Sequence, residues 1–150
     1  MVGAEDGTDD GRSAGASVWS PAEVALDQAF GTDGLHVLRA AVAAHAGALG
    51  LPDDRIGGLV VLASELATNA VRHGGGSGRL RLWRTGSALF CQVADPGRGI
   101  ADPARAGTRL VSLHAEGGRG LWIIRQLSDH LRIEGSTVTA VLLLADSPAD

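Results

Sequence analysis

The spacing of apolar positions changes along this chain, and each change marks an element. Residues 24–30 read as a short strand. Leu35, Leu38, Ala41, Val42 and Leu49 then recur at helical spacing, with Asp33 as the expected N-cap and Gly50 as the stop. Pro52 suits the first turn of a second helix, and Asp53 and Asp54 suit its dipole. Its broad stripe of Ile56, Leu59, Val60, Leu62, Ala63, Leu66, Ala70 and Val71 runs to His73, where Gly74-Gly75-Gly76 ends it. Period two takes over in Arg79-Leu80-Arg81-Leu82-Trp83 and gives way to a mostly apolar run over residues 89–95, with Gly86-Ser87 as a hairpin turn. Residues 96–117 hold Pro96, Pro103 and several glycines and read as a long loop, a length that in a compact domain usually signals function. A helix over residues 121–127 starts near Gly120. Strands over 131–134 and 138–144, joined by Gly135-Ser136, complete the pattern. This order predicts an α+β two-layer sandwich with helices on one face of a mixed or antiparallel sheet, and not a βαβ dinucleotide fold.

Composition narrows what such a domain does. Its 150 residues make one domain, 45% hydrophobic and 20% charged, enough for a packed core. Residues 1–20 are dominated by Gly, Ser, Ala, Thr and Asp and are expected to form a flexible tail, with Val18-Trp19 as its only apolar anchor. The net charge of −4 argues against a nucleic-acid partner. No apolar stretch reaches the ~18 residues of a membrane span, and the acidic N-terminus lacks an apolar signal core, so the expected compartment is the cytoplasm, without membrane association. The single cysteine, Cys91, excludes an internal disulfide; it lies in an apolar run and reads as a buried, inert thiol. All 13 basic residues are arginine. Without lysine, a Walker P-loop, a eukaryotic-type kinase site and Schiff-base chemistry are excluded.

Three stretches stand out chemically. Glu65 and Asn69 lie four apart on one helix face, and His73 continues the line. A carboxylate and an amide so placed can serve as a general base and a metal-ligand oxygen, or as an ordinary solvated face. Asp95-Pro96-Gly97-Arg98-Gly99 closes an apolar strand. Its acid can accept a hydrogen bond while its glycines let backbone approach a flat ligand; a tight turn would look the same. Gly117-Gly118-Arg119-Gly120-Leu121 opens a helix, where free N–H groups suit phosphate, or merely gives loop freedom.

The order and spacing of the three are more specific than any one alone. Over residues 24–145 the chain resembles the GHKL, or Bergerat-type, ATPases, and within them the anti-sigma-factor serine kinases of actinobacterial type. Glu65 to Gly74 resembles the family's N-box, and the stretches at Asp95 and at Gly117 resemble its two glycine boxes. The resemblance implies ATP and Mg²⁺. Glu65 would be the general base and Asn69 the Mg²⁺ ligand. Asp95 would accept from the adenine amino group, and Gly97 and Gly99 would shape the adenine pocket. Gly118, Gly120 and Leu121 would surround the phosphates. His73 belongs to the N-box match, and Ser136 stands where relatives usually carry a threonine near the adenine. The implied lid, residues 100–117, carries Arg105 and Arg109 and would be ordered by the γ-phosphate. Residues 146–150 would be a short C-terminal tail.

The implied activity is a protein serine/threonine kinase that phosphorylates an anti-sigma antagonist and regulates transcription through a sigma factor. Relatives often dimerise, so the resemblance also admits a homodimer. Two alternatives stay open. One is a nucleotide-gated binding module without phosphotransfer, and the other is a detached ATPase domain of a two-component sensor. Nothing upstream resembles a phosphoacceptor helix; His36 and His45 read as packing or surface residues. Arg79, Arg81 and Trp83 share one strand face, expected to be solvated, with a partner-docking face as the alternative; Trp19 and Trp122 have no assignable role.

Overall fold

The computed structural model of the chain describes residues 23–73, 75–96 and 118–144. Expectations for the tail over residues 1–20, for Gly97, Gly99 and the lid over 100–117, and for residues 146–150 fall outside them. Strand β1 (Leu26–Gly31) leads through a 3₁₀ turn (Thr32–Gly34) into α1 (Leu35–Ala48) and α2 (Asp53–His73). The hairpin β2 (Ser77–Thr85) and β3 (Ala88–Ala94) follows. After α3 (Gly118–Leu127) come β4 (His130–Glu134) and β5 (Thr137–Leu143). The sheet has the order β1-β2-β3-β5-β4, with every pairing antiparallel. The α+β expectation holds, and of the two sheet types expected the antiparallel one is found.

Alternation puts Leu80, Leu82, Leu89, Cys91, Val93, Ala140 and Leu142 on one face of the sheet. Leu38, Val42 and Ala46 of α1, Leu59, Leu62, Ala63, Leu66, Ala67 and Ala70 of α2, and Ile124 of α3 pack on that face as one core. Both hairpin turns place a glycine in the left-handed region, Gly86 and Gly135 each at φ 59°, a conformation an L side chain rarely tolerates.

Two expectations need correction. Asp33 does not cap α1: the 3₁₀ turn takes up Thr32–Gly34, so the helix starts at Leu35 behind Gly34, with no side-chain cap. The face of β2 opposite the helices is solvated only in part. Arg79 and Arg81 are exposed and both pair with Asp27. Trp83 is 1% exposed and stacks on Phe90, ring centroids 5.1 Å apart and planes 2° from parallel. With Val141 they form a second, smaller apolar cluster.

Candidate functional site

Gly58, Leu62, Glu65 and Asn69 follow one another at steps of three and four, so they line one side of α2. That side faces α3, because a Cβ on Gly58 would lie 4.0 Å from Cδ2 of Leu127, the last residue of α3. From Gly58, α2 has about one turn toward its start and about four turns toward its end. The 10 residues of α3 pack against α2 and at 1.5 Å per residue span about 15 Å. The start of α3 carries Gly118, Gly120 and Leu121. The first turn of a helix leaves backbone N–H groups without intrahelical partners, and they suit an anion.

Asn69 carries the site's clearest chemical signal. Its residue is half-buried, yet its side-chain Nδ2 is fully buried and has no hydrogen-bond partner. An unsatisfied buried amide costs about 1–3 kcal/mol, a cost that structural packing alone gives no reason to keep. Rotating the amide exchanges its nitrogen and oxygen, so the same position can offer an acceptor oxygen to a cation. Glu65, one turn earlier, is half-buried, and His73 is exposed in the last turn. Among the described residues, no three His, Cys, Asp or Glu side chains converge into a metal cage. A hard cation here would draw on Asn69 and on substrate oxygens, the usual habit of Mg²⁺.

The second part of the site forms at the end of β3. The Asp95 backbone N–H donates to the Ser136 carbonyl at 3.1 Å, tying the end of β3 to the turn between β4 and β5. Both residues are half-buried. The resemblance implies that Asp95 and Ser136 lie near the adenine, and the fold brings the two residues together. The stretch after α2 meets the same loop: a Cβ on Gly75 would lie 2.6 Å from Cγ of Pro96. Sequence reasoning read Gly75 only as a helix stop. A side chain at Gly75 would collide with Pro96, so this close approach needs glycine, and no local pattern reveals it.

Cys91 lies on the core face, and burial pushes its thiol up to about 12, so it supplies no thiolate. His36 is exposed on α1, and His45 Nδ1 lies 2.8 Å from the Ala41 carbonyl within its own helix, a packing role as expected. No described helix is long and apolar enough to cross a membrane.

An α+β sandwich with a five-stranded antiparallel sheet under a helical layer is consistent with a Bergerat-type ATPase fold. Over residues 32–144 the sequence matches the family described as histidine kinase-like ATPase domain, and the chain belongs to that family. It is an ATP-binding domain of the GHKL kind. No curated protein matches the chain.

Proposed function

We propose that the chain is an ATP-dependent protein serine/threonine kinase of the anti-sigma-factor type. It would act in the cytoplasm on a small anti-sigma antagonist and so regulate transcription through a sigma factor. The observation that supports this reading best is the buried, unpartnered Asn69 amide one helical turn from Glu65. Mg²⁺, held by Asn69, would neutralise charge on the ATP phosphates. Glu65 accepts the proton of the attacking serine or threonine hydroxyl. The hydroxyl oxygen bonds to the γ-phosphorus, the bond to the β–γ bridging oxygen breaks, and ADP leaves. Asp95, fixed beside Ser136, accepts from the adenine amino group.

The test separates binding from transfer. Glu65→Gln is expected to bind Mg-ATP nearly as the wild type does, measured by calorimetry. It should phosphorylate the antagonist about 10²–10⁴-fold more slowly, the usual effect of losing a general base. Asn69→Ala is expected to lose both binding and transfer. Full transfer by Glu65→Gln removes Glu65 as the base. A wild type that binds ATP yet neither transfers nor hydrolyses its γ-phosphate, with the antagonist present, is a nucleotide-gated binding module.

A further inference from the structure

At the end of the sheet that carries Asp95, one row of residues crosses the strands on the side facing the helices. Phe30 of β1 pairs with Gly78 of β2. The register that pairs Arg79 with Ala94 sets Gly78 opposite Asp95, with Cα atoms about 5 Å apart. The Asp95 N–H donates to the Ser136 carbonyl, so pairing continues one residue past the end of β3. Alternation from Cys91 and Val93 puts the Asp95 side chain on the helix-facing side, beside Gly78. Gly78 is the one member of this row without a side chain, and Phe30 takes the space. Its ring reaches across β2, and Cζ lies 2.6 Å from the point a Gly78 Cβ would occupy. The Ala94 carbonyl oxygen lies 2.9 Å from that same point, and it belongs to the peptide bond that carries the Asp95 N–H. The ring tip therefore comes to the flank of Asp95, although β1 and β3 do not pair. Phe30 is 6% exposed and belongs to the main core, whereas Asp95 is half-buried.

We propose that Phe30 is the positioning residue for Asp95: its ring fills the space over Gly78, keeps water out of it, and so enforces the choice of base. The inference rests on the reading of Asp95 as the acceptor for the adenine amino group. Phe30→Leu lacks the outer ring atoms that lie over Gly78, so the space there opens beside the carboxylate. The carboxylate then gains a second place to lie, and water gains access to it. A water can donate one hydrogen to the carboxylate and the other to the oxo group of guanine. That bridge removes the clash of two acceptors, which is what excludes GTP. The adenine amino group is itself a donor and needs no bridge. A phenyl group reaching over a glycine from an edge strand thus acts on base choice without touching the base.

Calorimetry on the full chain with Mg-ATP and Mg-GTP provides the test. The wild type is expected to prefer ATP by about tenfold or more. Phe30→Leu is expected to reduce that preference to about threefold or less, because a bridging water serves GTP nearly as well as a direct bond. A merely structural role would weaken both nucleotides together and leave their ratio unchanged, and that result overturns the inference alone. A wild type that binds ATP and GTP equally overturns the reading of Asp95, and this inference with it. Ring-labelled phenylalanine gives a second reading that needs no variant. The chain has two phenylalanines, and Phe90 lies on the opposite face of the sheet. Mg-ATP is expected to shift the Phe30 ring resonances well beyond the shift that Mg-tripolyphosphate causes, and to leave those of Phe90 in place. A Phe30 ring that responds identically to both ligands overturns the inference, because it would not border the base end of the site.

Discussion

At the scale of single residues, two buried groups have opposite meanings. Asn69 keeps a polar atom buried without a partner, a cost that the proposed ligand role would explain. Asn69→Leu, branched in the same way and without the orphan amide, is therefore expected to stabilise the nucleotide-free chain by about 1 kcal/mol while abolishing Mg-ATP binding. Urea midpoints and calorimetry on the same protein check both halves. A variant that is less stable than the wild type would show that the amide is satisfied in solution. Cys91 is the plain case, a thiol treated as a small hydrophobe. Its ordinary value of 9.0 is raised to about 12 by burial. Between those values the unfolded chain has lost the proton and the folded chain has kept it, so stability is full below 9 and falls as pH rises toward 12. The expected slope approaches 1.4 kcal/mol per pH unit, about the value of one proton. The chain has no tyrosine and no lysine, so no other side chain of ordinary basicity titrates in that window. Denaturation series at pH 8 to 11 should therefore show an alkaline decline that Cys91→Ala removes.

At the scale of elements, β1, β2 and β3 fit tightly around Gly78. A Cβ there would stand 2.6 Å from Cζ of Phe30 and 2.9 Å from the Ala94 carbonyl oxygen. The ring is buried and the carbonyl is backbone, so neither yields cheaply. Gly78→Ala is expected to destabilise by about 1–3 kcal/mol, the range for overpacking. Gly31→Ala, with nothing within 4 Å, should stay within about 0.5 kcal/mol of the wild type, as open surface positions do. Chemical denaturation of both variants decides. The sequence made most elements legible because their ends are chemical: Gly50 and the glycine run after His73 stop helices, while Gly86 and Gly135 turn hairpins. It failed where the deciding partner is distant. Asp33 reads as a cap, but the 3₁₀ turn displaces the helix start. Trp83 alternates with two exposed arginines and reads as solvated, yet Phe90 and Val141 from neighbouring strands bury it. The site divides the same way. Spacing shows that Glu65 and Asn69 share a face, but only packing shows that the Asn69 amide is sealed off, or that Gly75 and Pro96 bring two motifs into contact.

At the scale of the whole molecule, the site joins parts that only the complete fold assembles. The end of α2 and the start of α3 offer an amide, a carboxylate and free N–H groups, which suit phosphates and a cation. The end of β3 and the turn beside it offer a carboxylate held by the Asp95–Ser136 backbone bond, which suits the amino edge of a purine. On the proposed reading, a ligand that spans both is a nucleotide with an exocyclic amino group at the position Asp95 would meet. ATP has that group; GTP presents an oxo group there, and two acceptors would face each other without a proton between them. Leaving such a pair unsatisfied costs about 1–3 kcal/mol, roughly tenfold or more in affinity. Ligand that binds only the folded chain stabilises it by about 2.7 kcal/mol at about a hundredfold excess over Kd. In a chain of this size that amounts to several degrees of Tm. Mg-ATP is accordingly expected to raise Tm by several degrees and Mg-GTP by much less. Asp95→Asn should shrink the ATP shift, because an amide cannot match a carboxylate as acceptor, while the ligand-free Tm stays close to the wild type. Equal shifts from ATP and GTP in the wild type would remove Asp95 from base recognition and leave the phosphate end as the sole source of affinity.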